Sequence, residues 1–265
     1  MQDKVTRIAM GVEYDGSHFC GWQAQKQDLP TVQGALEAGL SHVANAEIKV
    51  ICAGRTDAGV HACGQVVHFE TSAERSERSW VCGTNANIDK TISVRWARPV
   101  AEDFHARFGA VRRRYRYVIV NREVRPTFAA RRVAWDHRDL DEQRMQQAAR
   151  HLLGEHDFNA YRAVACQAHS SVRTLYQLDV QRQEDLIIID LEANAFLQHM
   201  VRNIAGVLMA IGAGEQAVDW SRDVLETRDR TQGGVTAPPY GLYFMNVEYP
   251  PEFGIPQVPP TRLVW

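Results

Sequence analysis

The order of strand-like and helix-like patterns constrains this fold most, because the same order occurs twice along the 265 residues. In the first half, "RIAMGVEY" alternates as a strand, and residues 32–43 carry apolar residues at helical spacing. The other predicted elements of this half are strands at 48–53 and 64–70, a helix at 76–87 and the strand "TISVRWA". The first half is therefore predicted to follow the order βαββαβ.

The second half repeats that order. Its predicted elements are a strand at 110–121, a helix at 141–153, the strands "VRTLYQLDV" and "LIIIDLEA", a helix at 199–212, a short helix at 221–230 and a strand at 242–249. Asp139 and Glu142 suit a capping box for the helix at 141–153, and Gly154 suits its C-terminal stop.

This order predicts an α+β fold in which two ferredoxin-like (RRM-like) βαββαβ halves share an extended, mainly antiparallel sheet. We expect an N-terminal half at 1–105, a C-terminal half at 106–250 and an extended tail at 251–265, where Pro and Gly replace periodic patterns. Open sheets of this kind commonly bind RNA, although a fold alone does not establish a function.

Composition excludes several classes of protein. Hydrophobic residues make up 45% and charged residues 23% of the chain, as in a soluble globular protein. The five cysteines form no CxxC pair, so neither a disulfide framework nor a zinc site is indicated. The apolar run near residue 210 is too short to span a bilayer, and the N-terminus lacks a signal-peptide pattern. We therefore expect a cytoplasmic protein that does not contact membranes.

Positive charge is concentrated in one stretch of a nearly neutral chain. The formal net charge is −2, yet residues 105–138 hold ten arginines against Glu123 and Asp136. The alternative is that a chain with 26 arginines and 4 lysines simply scatters arginine over solvated faces. Strand alternation in "RRRYRYVIV" favours a binding surface, since it places Tyr115 among arginines, where a base and a phosphate could both be held.

The segment "AGRTDAGVHA", residues 53–62, is predicted to be a turn that joins two strands. Gly54 and Gly59 permit tight backbone geometry, and Thr56 and Asp57 can bond to nearby amides. Taken alone, this turn is better explained by structure than by catalysis. Arg202, near the start of a helix, is by itself also better explained as a solvated arginine than as the partner of a carboxylate, which it would keep ionised.

Eight stretches together resemble the TruA-type tRNA pseudouridine synthases. They are, in order, "YDGSHFCGWQ", "VQGALE", "AGRTDAGVHA", "NANI", "FHARF", "RRYRY", "NAFLQHMVRNIAG" and "APPYGLYF", and they extend from residue 14 to residue 244. "GRTDAGVHA" is highly specific to this family. Arg113 stands where many relatives carry lysine, which keeps the charge, and the last dozen residues match no motif.

The resemblance implies a role for each matching position. Asp57 corresponds to the catalytic aspartate, Arg202 to the arginine that pairs with it and Tyr115 to the tyrosine that stacks on the target base. Arg55 corresponds to the side chain that helps to displace the uridine, and Leu242 to an apolar wall of the pocket. The central cleft of the sheet is then expected to be basic and catalytic.

The resemblance also implies the reaction and the partners. The family isomerises uridines at positions 38, 39 and 40 of the tRNA anticodon arm and typically works as a homodimer. Because the reaction involves no redox change, group transfer or hydrolysis, we expect no cofactor and no metal.

Several alternatives stay open at this point. Asp57 could act as a nucleophile or as a base that abstracts a ribose proton. A non-catalytic RNA-binding protein would use the same basic stripe, and a nucleoside hydrolase or lyase could use a single carboxylate.

Overall fold

The structure is a computed structural model that describes residues 5–25 and 29–257, which contain ten strands and five α-helices. The strands are β1 (Thr6–Tyr14), β2 (Ile51–Cys52), β3 (His61–Thr71), β4 (Ile92–Pro99), β5 (Arg112–Asn121), β6 (Ala134–Asp136), β7 (Gly154–Asp157), β8 (Val172–Gln183), β9 (Leu186–Ala193) and β10 (Leu242–Glu248). The helices are α1 (Val32–Ala44), α2 (Glu77–Ala86), α3 (Glu142–Arg150), α4 (Met200–Gly212) and α5 (Trp220–Thr227).

The chain divides into two compact units. The first contains the described residues up to 111 together with 244–257, and the second contains residues 112–243. The α+β class and the mainly antiparallel strand pairing are confirmed. The division at 105/106 into two ferredoxin-like halves stays a prediction. Of the predicted tail, residues 258–265 lie outside the described residues, and Pro251–Phe253 form a 3-10 turn.

In the first unit, β1 lies between β3 and β4 and is antiparallel to both. The short strand β2 pairs with β3. Helix α1 begins after Thr31, whose hydroxyl accepts a hydrogen bond from the amide of Gly34 at 3.2 Å. Helix α2 packs on the sheet through Trp80, whose ring meets that of Phe69 edge-on at 5.2 Å.

In the second unit, the strands follow the order β5-β9-β8-β7, all antiparallel, and β6 pairs parallel with β5. The predicted core stripe of α4 is confirmed, because its members are buried: Val201, Ile204, Leu208 and Ile211. Strands β6 and β7 are too short to give a periodic signal and were not predicted.

The predicted capping of α3 is wrong at both ends. The helix begins after Asp141, not Asp139, because the Asp141 carboxylate accepts from the amides of Gln143 and Arg144 at 2.8 and 3.0 Å. The helix ends at residue 150, and Gly154 instead starts β7 with a φ of +97°.

No helix among residues 5–25 and 29–257 combines the length and the apolar character needed to cross a membrane.

Candidate functional site

The loop between β2 and β3 presents alternating side chains. Arg55 is exposed, Thr56 is buried at 8% exposure and Asp57 is half-buried. The amide of Val60 donates to the carbonyl of Asp57 at 3.2 Å, and Gly59 adopts a φ of +78°, which favours glycine. The predicted turn is confirmed, and within it Thr56 is buried while Arg55 is exposed and Asp57 half-buried.

Buried polar groups hold this loop in place on its buried side. The hydroxyls of Tyr14 and Thr56 form a hydrogen bond of 2.8 Å. Gln65, at 0% exposure, donates to the carbonyl of Gly54 at 2.6 Å and accepts from the amide of Gly54 at 3.4 Å. Burial raises the pKa of the Tyr14 hydroxyl well above its ordinary value, so this group stays protonated and neutral.

The segment that follows β1 packs directly on the same loop. The amide of Trp22 donates to the carbonyl of Thr56 at 3.0 Å. Gly21 has a φ of +98°, and a Cβ added there would lie 3.0 Å from that carbonyl oxygen. A Cβ added to Gly16 would overlap the carbonyl oxygen of Val60. Two glycines of this segment are therefore needed for close approach of two backbones.

In the second unit, Arg202 lies in the first turn of α4 and is half-buried, so it is not a plain solvated arginine. Its Nε donates to the carbonyl of Ala237 at 2.8 Å, and the amide of Ala237 donates to the carbonyl of Arg202 at 3.1 Å. A Cβ added to Gly206 would overlap the carbonyl oxygen of Val235. The segment 234–237 thus lies against α4 and holds Arg202 in place.

Tyr115 and Leu242 are held by neighbouring parts of the second unit. Tyr115 is 8% exposed, and its ring meets that of Phe196 at 4.9 Å in an edge-on arrangement. Two residues along β5, the Tyr117 hydroxyl donates to the carbonyl of Pro238 at 2.8 Å. Leu242 is buried at the first position of β10. The segment leading to β10 is therefore attached to the strand that carries Tyr115.

Carboxylates on β9 neutralise part of the positive charge predicted for residues 105–138. Arg112 lies 2.8 Å from Glu192, and Arg114 and Arg116 lie 3.7 and 2.7 Å from Asp190. At least five of the ten arginines at 105–138 form ion pairs with carboxylates: Arg112, Arg114, Arg116, Arg122 and Arg138. The count of ten arginines against Glu123 and Asp136 therefore overstates the positive charge of this region.

The structure brings together some of the predicted site residues. Arg55 and Asp57 lie on one loop of the first unit, whereas Tyr115, Arg202 and Leu242 belong to the second. Sequence reasoning missed the supporting residues Tyr14 and Gln65, and it expected the Thr56 hydroxyl to bond to nearby amides, whereas that hydroxyl bonds to Tyr14. A sequence signal existed for Tyr14 alone, because it opens the motif "YDGSHFCGWQ". In the described part of the chain, no three His, Cys, Asp or Glu side chains are grouped as a metal site would require.

Comparisons with known proteins agree with the motifs. A family model described as tRNA pseudouridine synthase matches residues 10–109 and 148–250. The tRNA pseudouridine synthase A of Pseudomonas aeruginosa is 57% identical over 253 residues, which cover 96% of this chain and 89% of that protein. The protein of the same name from Nitrosococcus oceani is 56% identical over 259 residues, 98% of this chain and 100% of its own length. That from Alcanivorax borkumensis is 54% identical over 255 residues, 96% of each chain.

Proposed function

This chain belongs to the tRNA pseudouridine synthase family, whose members are isomerases that convert uridine in tRNA to pseudouridine, and on that premise we propose that it modifies positions 38, 39 and 40 of the anticodon arm with Asp57 as its catalytic residue. The observation that carries the proposal is the loop on which an exposed Arg55 and a half-buried Asp57 flank a buried, hydrogen-bonded Thr56. A carboxylate on so firmly held a loop can react at a fixed position.

The reaction needs a target nucleotide that has left its stack. Unstacking costs a few kcal/mol, which an inserted cation and an aromatic contact can offset. We assign Arg55 to the displacement of uridine, because its guanidinium is exposed beside Asp57. Tyr115 is assigned to stacking on the displaced base, with its ring orientation fixed by Phe196. Leu242 supplies an apolar wall that helps to exclude water.

Arg202 is proposed to pair with Asp57 in the working enzyme. An arginine beside a carboxylate favours its ionised form, and the planar guanidinium can orient the carboxylate through two hydrogen bonds. The bond from Arg202 Nε to Ala237 supports this role, because it fixes the orientation of the side chain at the start of α4.

The chemistry is balanced within the substrate. The bond from N1 to C1′ breaks, the base turns, and a bond from C5 to C1′ forms. C5 then loses its proton and N1 gains one, so no atom is added or lost overall. Asp57 either attacks the substrate as a nucleophile or removes a proton from the ribose. A primary kinetic isotope effect from deuterium at C2′ distinguishes removal of that proton from nucleophilic attack.

Further parts of the proposal concern partners and location. We assign the substrate surface to the arginine-rich stretch at 105–138, and we infer from the family resemblance that the protein acts as a homodimer in the cytoplasm. Light scattering of the purified protein tests the dimer, because the mass of one chain is 29.9 kDa.

The decisive experiment uses a tRNA transcript labelled with tritium at uridine C5. The wild type is expected to release tritium without added cofactor, and the modified positions should map to 38–40. Asp57→Asn should release none while binding tRNA as well as the wild type, since the change is nearly isosteric. Release by Asp57→Asn at the wild-type rate overturns the catalytic assignment. Salt-sensitive binding without release by the wild type favours a non-catalytic RNA-binding protein, and free uracil in the products favours a hydrolase.

A further inference from the structure

We propose that the hydrogen bond between the hydroxyls of Tyr14 and Thr56 positions Arg55 and Asp57 for the reaction, so that Tyr14 and Thr56 are positioning residues. This inference rests on the proposed function of Asp57. It concerns the side of the loop that faces the protein, on which no reacting atom is expected.

The first argument is the place of Thr56 in the chain. It stands between Arg55 and Asp57, and its side chain is buried, whereas Arg55 is exposed and Asp57 is half-buried. A rotation of the backbone at Thr56 would therefore move both neighbours together. One bond of 2.8 Å to Tyr14 restrains that rotation.

The second argument is the set of contacts on the adjoining backbone. Gln65 binds both the carbonyl and the amide of Gly54, immediately before Arg55. The carbonyl of Thr56 accepts from Trp22 at 3.0 Å. The loop is thus held at successive residues by groups from β1, β3 and the segment after β1.

The third argument is that these hydrogen-bonding groups are buried. Tyr14 is 4% and Gln65 is 0% exposed. A buried polar group that loses its partner costs free energy, so the network strongly favours one arrangement of the loop. A shift of about 1 Å in a reacting group can cost about 100-fold in rate. The network is therefore expected to matter for the rate of the reaction as well as for stability.

The test compares Thr56→Val, which removes the hydroxyl at constant shape, with Thr56→Ser, which keeps it. Tyr14→Phe removes the partner hydroxyl. Single-turnover tritium release at saturating enzyme measures the rate, and filter binding measures the Kd for tRNA. Thr84→Val is the matched control, because Thr84 is a fully buried threonine in α2 of the same unit. Circular dichroism establishes the temperature at which all variants are folded.

We expect Thr56→Val and Tyr14→Phe to lower the rate by about 10- to 100-fold, with the Kd unchanged within about threefold. Thr56→Ser should keep most of the rate. The double variant should be no slower than the slower single variant, because both changes remove the same hydrogen bond. Thr84→Val, which removes a buried hydroxyl that has no hydrogen-bond partner among the described residues, should not lower the melting temperature and should leave the rate alone.

A wild-type rate in both Thr56→Val and Tyr14→Phe overturns the inference, as does a double variant whose loss is the product of the single losses. If Thr56→Val does not fold, Tyr14→Phe gives the same comparison. These outcomes differ from failure of the proposed function, in which the wild type releases no tritium or Asp57→Asn stays active.

Discussion

The guanidinium of Arg116 donates to both carboxylate oxygens of Asp190, at 2.9 and 2.7 Å, across the pairing of β5 with β9. The same carboxylate lies 3.7 Å from Arg114. Two arginines of the strand that carries Tyr115 therefore share one negative charge. Any phosphate that approaches this face of β5 must compete with that carboxylate.

Replacing Asp190 with asparagine is expected to strengthen tRNA binding at low salt. The change removes a negative charge beside Arg114 and Arg116, so the strand attracts phosphate more strongly. The plot of log K against log salt should become steeper by up to about one unit, the contribution of about one extra phosphate contact. Asp219→Asn, which releases Arg222 on α5, is the control and should leave the slope unchanged. An unchanged slope for Asp190→Asn would show that this face of β5 does not meet the tRNA.

Replacing Arg202 with lysine is expected to reduce kcat by about 10- to 100-fold although the charge is kept. A lysine ammonium lacks the planar fork of an arginine and cannot hold a carboxylate in the same bidentate way. It also loses the Nε donor to Ala237. The single-turnover rate measures the effect on the reaction itself, and the Kd for tRNA measures any effect on substrate binding. A lysine variant with the wild-type rate would mean that charge alone is required at this position.

Replacing Gly206 with alanine is expected to destabilise the protein by about 1–3 kcal/mol, because the new methyl group overlaps the backbone at Val235. Urea unfolding measures this loss. Gly83→Ala in α2 is the control, since its Cβ meets the side chain of Val43, at 2.9 Å from the nearer methyl group, and no backbone atom, and alanine favours a helix. The Gly206 variant should also react more slowly, because segment 234–237 holds Arg202. Equal stability of the two alanine variants would contradict this description of the segment.

The free energy of unfolding is expected to fall as the pH drops from about 6.5 to about 4. Burial lowers the pKa of His68 to about 4, assisted by the positive charges of His105 and Arg7 and opposed by Glu70. Between these pH values the unfolded chain binds a proton that the folded protein excludes, so stability rises with pH across this window. His68 contributes a slope of at most about 1.4 kcal/mol per pH unit.

The control for this pH dependence is His68→Asn. The Nδ1 atom of His68 accepts a hydrogen bond from the amide of Ala106 at 3.1 Å, and an asparagine oxygen can take that place. Urea unfolding between pH 4 and 7 should show a shallower slope for the variant than for the wild type. A residual slope is expected, because burial also lowers the pKa of His105. Identical slopes for the variant and the wild type would show that folding does not lower the pKa of His68.

The elements of the fold that were predicted from the sequence are those with long, regular patterns. The helix predicted at 199–212 is observed as Met200–Gly212, because its apolar spacing extends over more than three turns. Strand β7 holds only 4 residues, Gly154–Asp157, and gives no period. The start of α3 was missed because two aspartates stand close together, and only the structure shows which of them meets the free amides.

Candidate site residues could be proposed from the sequence where a specific motif contains them, whereas the contacts that support them are defined by packing and could not. Asp57 and Arg55 stand in a specific signature, whereas Tyr14 reaches Thr56 across 42 residues of sequence. The positive charge of residues 105–138 was overestimated for the same reason. Asp190 lies 74 residues beyond Arg116, so no count within a short stretch of sequence could include it.

The close approach of Gly16 and Gly21 to the loop of Asp57 limits which substitutions evolution and protein engineering can use. A methyl group at either glycine reaches the backbone of residues 56–60 before it meets any side chain. Small movements of neighbouring side chains therefore cannot make room for the added methyl group. In a library of random variants, these two positions should tolerate as little change as Asp57 itself, although neither glycine has a functional group to contribute.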